Sequence, residues 1–211
     1  MSTSTLILRR GILAALLAAS AALAHADAPA PAAYHVVVNT AGMSGTGWLD
    51  LSFLSGMQPA PAATATLSHI SGAFGSDFFL DGDVSGAIPS PSIVFGNGGA
   101  YNDLFQSLTL GGKFSFDVSF GGAYASTPGN VGTTFGVGLL AADQVSYLGN
   151  SSGNLFQFDL TAAQDGVPGG VSVTMSNNSI SSISAVPEPS SYLMLAAGLG
   201  LCGFMLRRRA A

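Results

Sequence analysis

Lys113-Phe114-Ser115-Phe116-Asp117-Val118-Ser119-Phe120 carries an apolar side chain at every even position and a polar one at every odd position. Successive side chains of a strand point to opposite faces, so the run predicts a half-buried β-strand with its phenylalanines and Val118 turned inward. The same two-residue period recurs on either side. Gly47–Leu54 sets Leu49, Leu51 and Phe53 against Trp48, Asp50, Ser52 and Leu54. Thr133–Leu140 sets Phe135, Val137 and Leu139 against Thr134, Gly136 and Gly138, and Leu155–Leu160 aligns Phe156, Phe158 and Leu160. Shorter β-rich runs lie at Tyr34–Asn39, Ala63–Ile70, Val84–Ile88, Ser92–Phe95, Val171–Met175 and Ile180–Ile183, separated by clusters of Gly, Asn, Asp, Ser and Pro. Asn102–Gln106 reads equally as a turn of helix or an irregular strand. About eight to eleven short antiparallel strands predict one all-β domain over residues 34–185, an antiparallel β-sandwich of jelly-roll type. An up-and-down barrel is the alternative.

Both flanks of this domain have a different character. Residues 1–26 read as a secretory signal peptide: Arg9 and Arg10 supply the positive region, Gly11–Leu23 the apolar stretch, and Ala24-His25-Ala26 the small-x-small cleavage pattern. The arginine pair also raises a twin-arginine route, although the residues around it favour general secretion. Residues 27–33 form an Ala/Pro spacer. At the other end, Pro187-Glu188-Pro189 is a stiff, extended element, because proline fixes φ and opposes helix. An uncharged run follows and is expected to form a transmembrane helix over residues 191–206. The fifteen residues Tyr192–Leu206 would rise about 22 Å, and the arginine stems make up most of the shortfall against a ~30 Å hydrocarbon core. Arg207, Arg208 and Arg209 then act as a stop and orientation signal that keeps the tail cytoplasmic.

This order of motif, apolar run and basic tail over residues 186–211 resembles the PEP-CTERM sorting signal of Gram-negative bacteria, with Pro187, Glu188 and Pro189 matching its motif. The resemblance implies an exosortase-like processing enzyme as a partner, alongside signal peptidase and the secretion machinery. It further implies anchoring in the inner membrane before processing, release to the cell surface or extracellular matrix afterwards, and association with exopolysaccharide and biofilm.

The charge of the predicted domain narrows its partners. Between Asp27 and Val186 stand ten aspartates and one base, Lys113, a net charge of −9 with histidine neutral. Such a surface cannot neutralise phosphates, which excludes nucleic acid as a partner. The only cysteine, Cys202, lies in the C-terminal apolar run, so the domain forms no disulfide and depends on its core.

No motif in the domain assembles a recognisable catalytic set. Gly149-Asn150-Ser151-Ser152-Gly153 fits the spacing of a nucleophile elbow but lacks the following helix and a downstream histidine, and reads as a turn. Gly136–Ala141 fits a dinucleotide fingerprint only by spacing, since it continues a strand. His35 and His69, the two histidines of the domain, are expected as outward-facing polar residues rather than metal ligands. Asp77, Asp81 and Asp83 lie in Asp77-Phe78-Phe79-Leu80-Asp81-Gly82-Asp83-Val84-Ser85-Gly86, which repeats the first half of a calcium loop without its glutamate. A calcium site on these three carboxylates is one expectation and a solvated Asp-Gly turn the other. The domain is therefore expected to be non-enzymatic and to need no cofactor other than such a calcium ion. A carbohydrate-binding module is the alternative, with Trp48, Tyr101, Tyr124 and Tyr147 as candidate stacking residues. A glycoside hydrolase built on paired aspartates ranks below it.

Overall fold

The structure is a computed structural model that describes residues 33–99, 101–186 and 198. The described residues form twelve strands: β1 (Ala33–Asn39), β2 (Thr46–Ser55), β3 (Thr64–Ser71), β4 (Phe74–Asp81), β5 (Val84–Ser85), β6 (Ser92–Gly96), β7 (Asp103–Thr109), β8 (Lys113–Gly121), β9 (Thr133–Ala141), β10 (Phe156–Thr161), β11 (Gly170–Met175) and β12 (Ser181–Ala185). A single 3₁₀ turn at Ala123–Ala125 links β8 to β9. The strands form two antiparallel sheets of six. The first has the order β12-β1-β8-β3-β6-β5 and the second β11-β10-β9-β2-β7-β4.

The alternation predicted for Lys113–Phe120 is realised along β8, whose Phe114, Phe116, Val118 and Phe120 are all buried. On the second sheet Leu49, Leu51, Phe53, Phe135, Val137, Leu139, Phe156, Phe158 and Leu160 join them in one continuous core. Aromatic rings lock the sheets together face to face. Phe135 of β9 meets Phe95 of β6 at 5.5 Å and Phe120 of β8 at 6.0 Å, while Phe158 of β10 meets Phe120 at 5.1 Å and Tyr34 of β1 at 5.0 Å. Offset and edge-on ring pairs of this kind add to the free energy of area burial.

Three segments depart from the expectation. Within Asn102–Gln106, residues 103–106 open a regular strand, β7, in which Leu104, Gln106 and Leu108 face inward. A glutamine at a core position had hidden its period. Val84–Ile88 shrinks to the two residues of β5, because Gly86 takes φ +88° and turns the chain out of the ladder. Phe74–Asp81 is an edge strand, β4, that alternation could not reveal. A bulge between Phe74 and Phe78 breaks its register against β7.

The predicted signal peptide and transmembrane helix lie outside the described residues. Among the described residues no helix is long and apolar enough to cross a membrane. The two ends of the described domain meet: Tyr34 pairs with Ala185, and the Val186 N–H donates to the Ala33 carbonyl at 2.8 Å.

Candidate functional site

The outer face of the β2-β7-β4 region concentrates aromatic and acidic side chains. Trp48 of β2 lies flat on Phe105 of β7, with ring centroids 4.9 Å apart and planes 7° from parallel, and Phe79 of β4 tilts against Trp48 at 5.7 Å. The stack steps outward from a 9 % exposed Trp48 to a 60 % exposed Phe79, so Phe79 is its accessible end. Of the other candidate stacking residues, Tyr124 is buried, whereas Tyr101 and Tyr147 are exposed.

Carboxylates run beside these rings. Asp50 of β2 and Asp103 of β7 share a hydrogen bond, and Asp81 of β4 pairs directly with Asp103. Burial, then the hydrogen bond and charge of Asp50, then the charge of Asp81 push the Asp103 carboxyl up to about 8. Asp50 is also raised by burial, but the hydrogen bond from Asp103 opposes the rise. Asp103 Oδ1 is buried with no donor beside it, a further reason for this group to stay neutral. Burial and this contact favour a proton on Asp103, shared with Asp50 through their hydrogen bond. Gly138 faces Asp50 across the ladder.

The three aspartates considered for calcium do not come together. Asp77 and Asp81 lie four residues apart on an extended strand, about 13 Å of chain, too far to share an ion. Asp83 belongs to the turn after β4, where its N–H donates to Asn102 Oδ1 at 2.9 Å and its carboxylate lies over Gly96 of the other sheet. Gly82 makes that turn with φ +69° and lies so close to the Tyr101 carbonyl that a side chain would collide with it. Among the described residues no group of three His, Cys, Asp or Glu is arranged to hold a metal ion.

The outer face of the other sheet carries a second polar cluster. Asp117 of β8 accepts a hydrogen bond from His35 Nδ1 at 2.6 Å and from His69 Nδ1 at 2.9 Å, one on each carboxylate oxygen. Both histidines face outward, as expected, but the carboxylate that brackets them was not foreseen. His35 stands opposite Asp117 in register, whereas His69 reaches it through a bulge in β3 that places its backbone at φ +50°. Both Nδ1 atoms must carry a proton, since the carboxylate only accepts.

The remaining sequence motifs take local roles. Gly149–Gly153 is a turn that leads into strand β10, with Asn150 Nδ2 donating to the Asn154 carbonyl at 2.7 Å. Gly136–Ala141 lies within β9. Neither stretch opens a helix.

The described β domain ends at Val186, directly before Pro187-Glu188-Pro189. Residues 185–209 match the model of the PEP-CTERM protein-sorting motif. The match begins on the last residue of β12, so the PEP-CTERM signal follows the sheet with no linker between them. This signal implies export and processing by exosortase-type machinery in a Gram-negative bacterium. No curated protein and no solved structure matches the chain. Its motif residues Pro187, Glu188 and Pro189, the basic Arg207, Arg208 and Arg209, and the leader residues Ala24 and Ala26 all lie outside the described residues.

Proposed function

We propose that the chain is an exported, non-enzymatic protein of the cell surface or extracellular matrix, whose β domain is delivered by its PEP-CTERM signal. The observation that carries this reading is the sorting motif at residues 185–209, joined directly to a folded domain without a disulfide. In this reading signal peptidase removes the leader after Ala26 and the apolar run holds the protein in the inner membrane. The exosortase-like enzyme then acts at Pro187–Pro189 to release it toward exopolysaccharide and biofilm. The strand order β1-β8-β3-β6 opposite β2-β7-β4 supports a jelly-roll description of the sandwich.

Glu188→Ala tests the assignment. The variant should accumulate as an unprocessed membrane form with its β domain folded and outside, seen as a mass increase by immunoblot of membrane fractions. Processing at the native rate would remove the exosortase step from the reading.

A second reading, a carbohydrate-binding module on the same export route, is favoured by one observation. The Trp48–Phe105–Phe79 stack ends in an exposed ring with carboxylates beside it. Aromatic faces and short polar side chains are the groups that recognise sugar rings.

A further inference from the structure

The bulge in β4 opens a cleft of about 430 Å³ beside the aromatic stack, lined by Trp48, Ser76, Asp77, Phe78, Phe79 and Gln144. Three features define what this cleft accepts. Its walls are aromatic, and the ring of Phe79 is 60 % exposed. Asp77, Phe79 and Asp81 alternate along β4, a carboxylate on each side of an exposed ring, with both carboxylates themselves exposed. The polar groups that line it are the Asp77 carboxylate, the Ser76 hydroxyl and the Gln144 amide, with Asp81 just beyond the lining on β4, and the domain's one base, Lys113, begins β8 in the opposite sheet. A uronate or phosphate would meet no cation here and a domain charge of −9.

We propose that this cleft binds the amine-bearing pyranose units of a polysaccharide, an amino sugar with free ammonium groups. The pyranose face lies on Phe79 and the ammonium groups on Asp77 and Asp81, so that charge-assisted hydrogen bonds and cation–π attraction act together. The proposal rests on the carbohydrate-binding reading and names its ligand class. A peptide strand added to the free edge of β4 fits less well. The bulge at Gly75–Asp77 interrupts the run of backbone donors, and flanking carboxylates together with a bulge are features that keep strands from adding to an edge.

The test uses the processed, exported protein and its single tryptophan, Trp48, as a fluorescent reporter inside the cleft. The probes are the β-1,4-linked tetramer of glucosamine, its fully N-acetylated counterpart, and tetragalacturonate. A saturable change is expected with the glucosamine tetramer, at least about tenfold weaker with the acetylated tetramer, and absent with tetragalacturonate. Phe79→Ala and Asp77→Asn should each weaken the glucosamine tetramer about tenfold with the melting temperature retained, whereas Asp165→Asn, on the β10–β11 turn, should not. Equal affinity for the acetylated tetramer would overturn the amine assignment and leave the carbohydrate-binding reading standing. No saturable change with any probe would overturn both. Equal weakening by Asp165→Asn would show diffuse attraction to an acidic protein and overturn the site.

Discussion

At the scale of single residues, proton placement is the feature the fold adds. Asp50 and Asp103 are both unremarkable in a chain of ten mature aspartates, yet the register of β2 on β7 sets their carboxyl groups in hydrogen-bond contact. The folded protein keeps a proton on Asp103 up to about pH 8, while the unfolded chain releases it near the ordinary 3.8. Folded chains thus bind more protons than unfolded ones across this window. The stability contributed by this group is complete below the ordinary value and is lost as pH rises through about 8. Asp103→Asn keeps a hydrogen-bond donor for Asp50 and removes the titration. Its melting temperature should match the native protein near pH 3.5, below the ordinary aspartate value, and exceed it increasingly as pH rises, by about 2–4 °C at pH 8, a solvent-screened figure for a partly exposed pair. Parallel pH profiles for the two proteins would show that the pair does not share a proton. Such pairing could not be read from the sequence, because Asp50 and Asp103 are far apart along the chain and interact only through strand register.

At the scale of elements, β4 is the strand on which the cleft depends. Its bulge is held from inside by a buried glutamine: Gln106 Nε2 donates to the Gly75 carbonyl at 2.9 Å and the Asp77 carbonyl at 3.3 Å. From the outer side Ser107 Oγ accepts the Asp77 N–H at 3.2 Å. Gln106→Ala should therefore release β4 and little else. Amide hydrogen exchange across residues 74–81 is expected to quicken about tenfold while β1 and β8 stay protected, in line with the ~1–3 kcal/mol lost when buried hydrogen bonds are left unmade. Uniform acceleration across both sheets would mean that Gln106 supports the whole core and not the bulge. The strands with unbroken alternation, β2, β8, β9 and β10, were all legible in the sequence. β4 and β7 were not, for linked reasons: β7 places a glutamine at a core position in order to satisfy the carbonyls that the bulge of β4 leaves unpaired.

At the scale of the whole molecule, the acidic surface and the shared corner of the termini set how the protein behaves. The aspartates repel one another, and among the described residues they form no ion-binding set, so screening alone should relieve the strain. Calcium chloride and sodium chloride at matched ionic strength are expected to raise the melting midpoint equally over tens to hundreds of millimolar, where the Debye length falls through about 10 Å. A larger shift with calcium, removed by Asp81→Asn, would restore a specific site. The pairing of β1 with β12 brings the residue after the spacer and the residue before the sorting motif to one corner of one sheet. Ala33 and Val186, at the two ends of the described domain, therefore lie side by side, and the cleft on β4 lies at the far edge of the other sheet.

What the sequence determined by itself was local: the period of two that makes strands, the composition that leaves the domain acidic and free of disulfides, and the ordered C-terminal signal. Each is written in adjacent residues, where side-chain direction, charge and motif spacing need no partner strand. The tertiary structure alone decided which strands are neighbours, and with that every cross-strand event. It placed Phe79 on Trp48, Asp103 against Asp50, and both histidines on Asp117, and it separated Asp77 and Asp81 along an extended strand instead of curling them around an ion. Register is a property of two strands together, so chemistry that depends on register becomes visible only once the sheets are assembled.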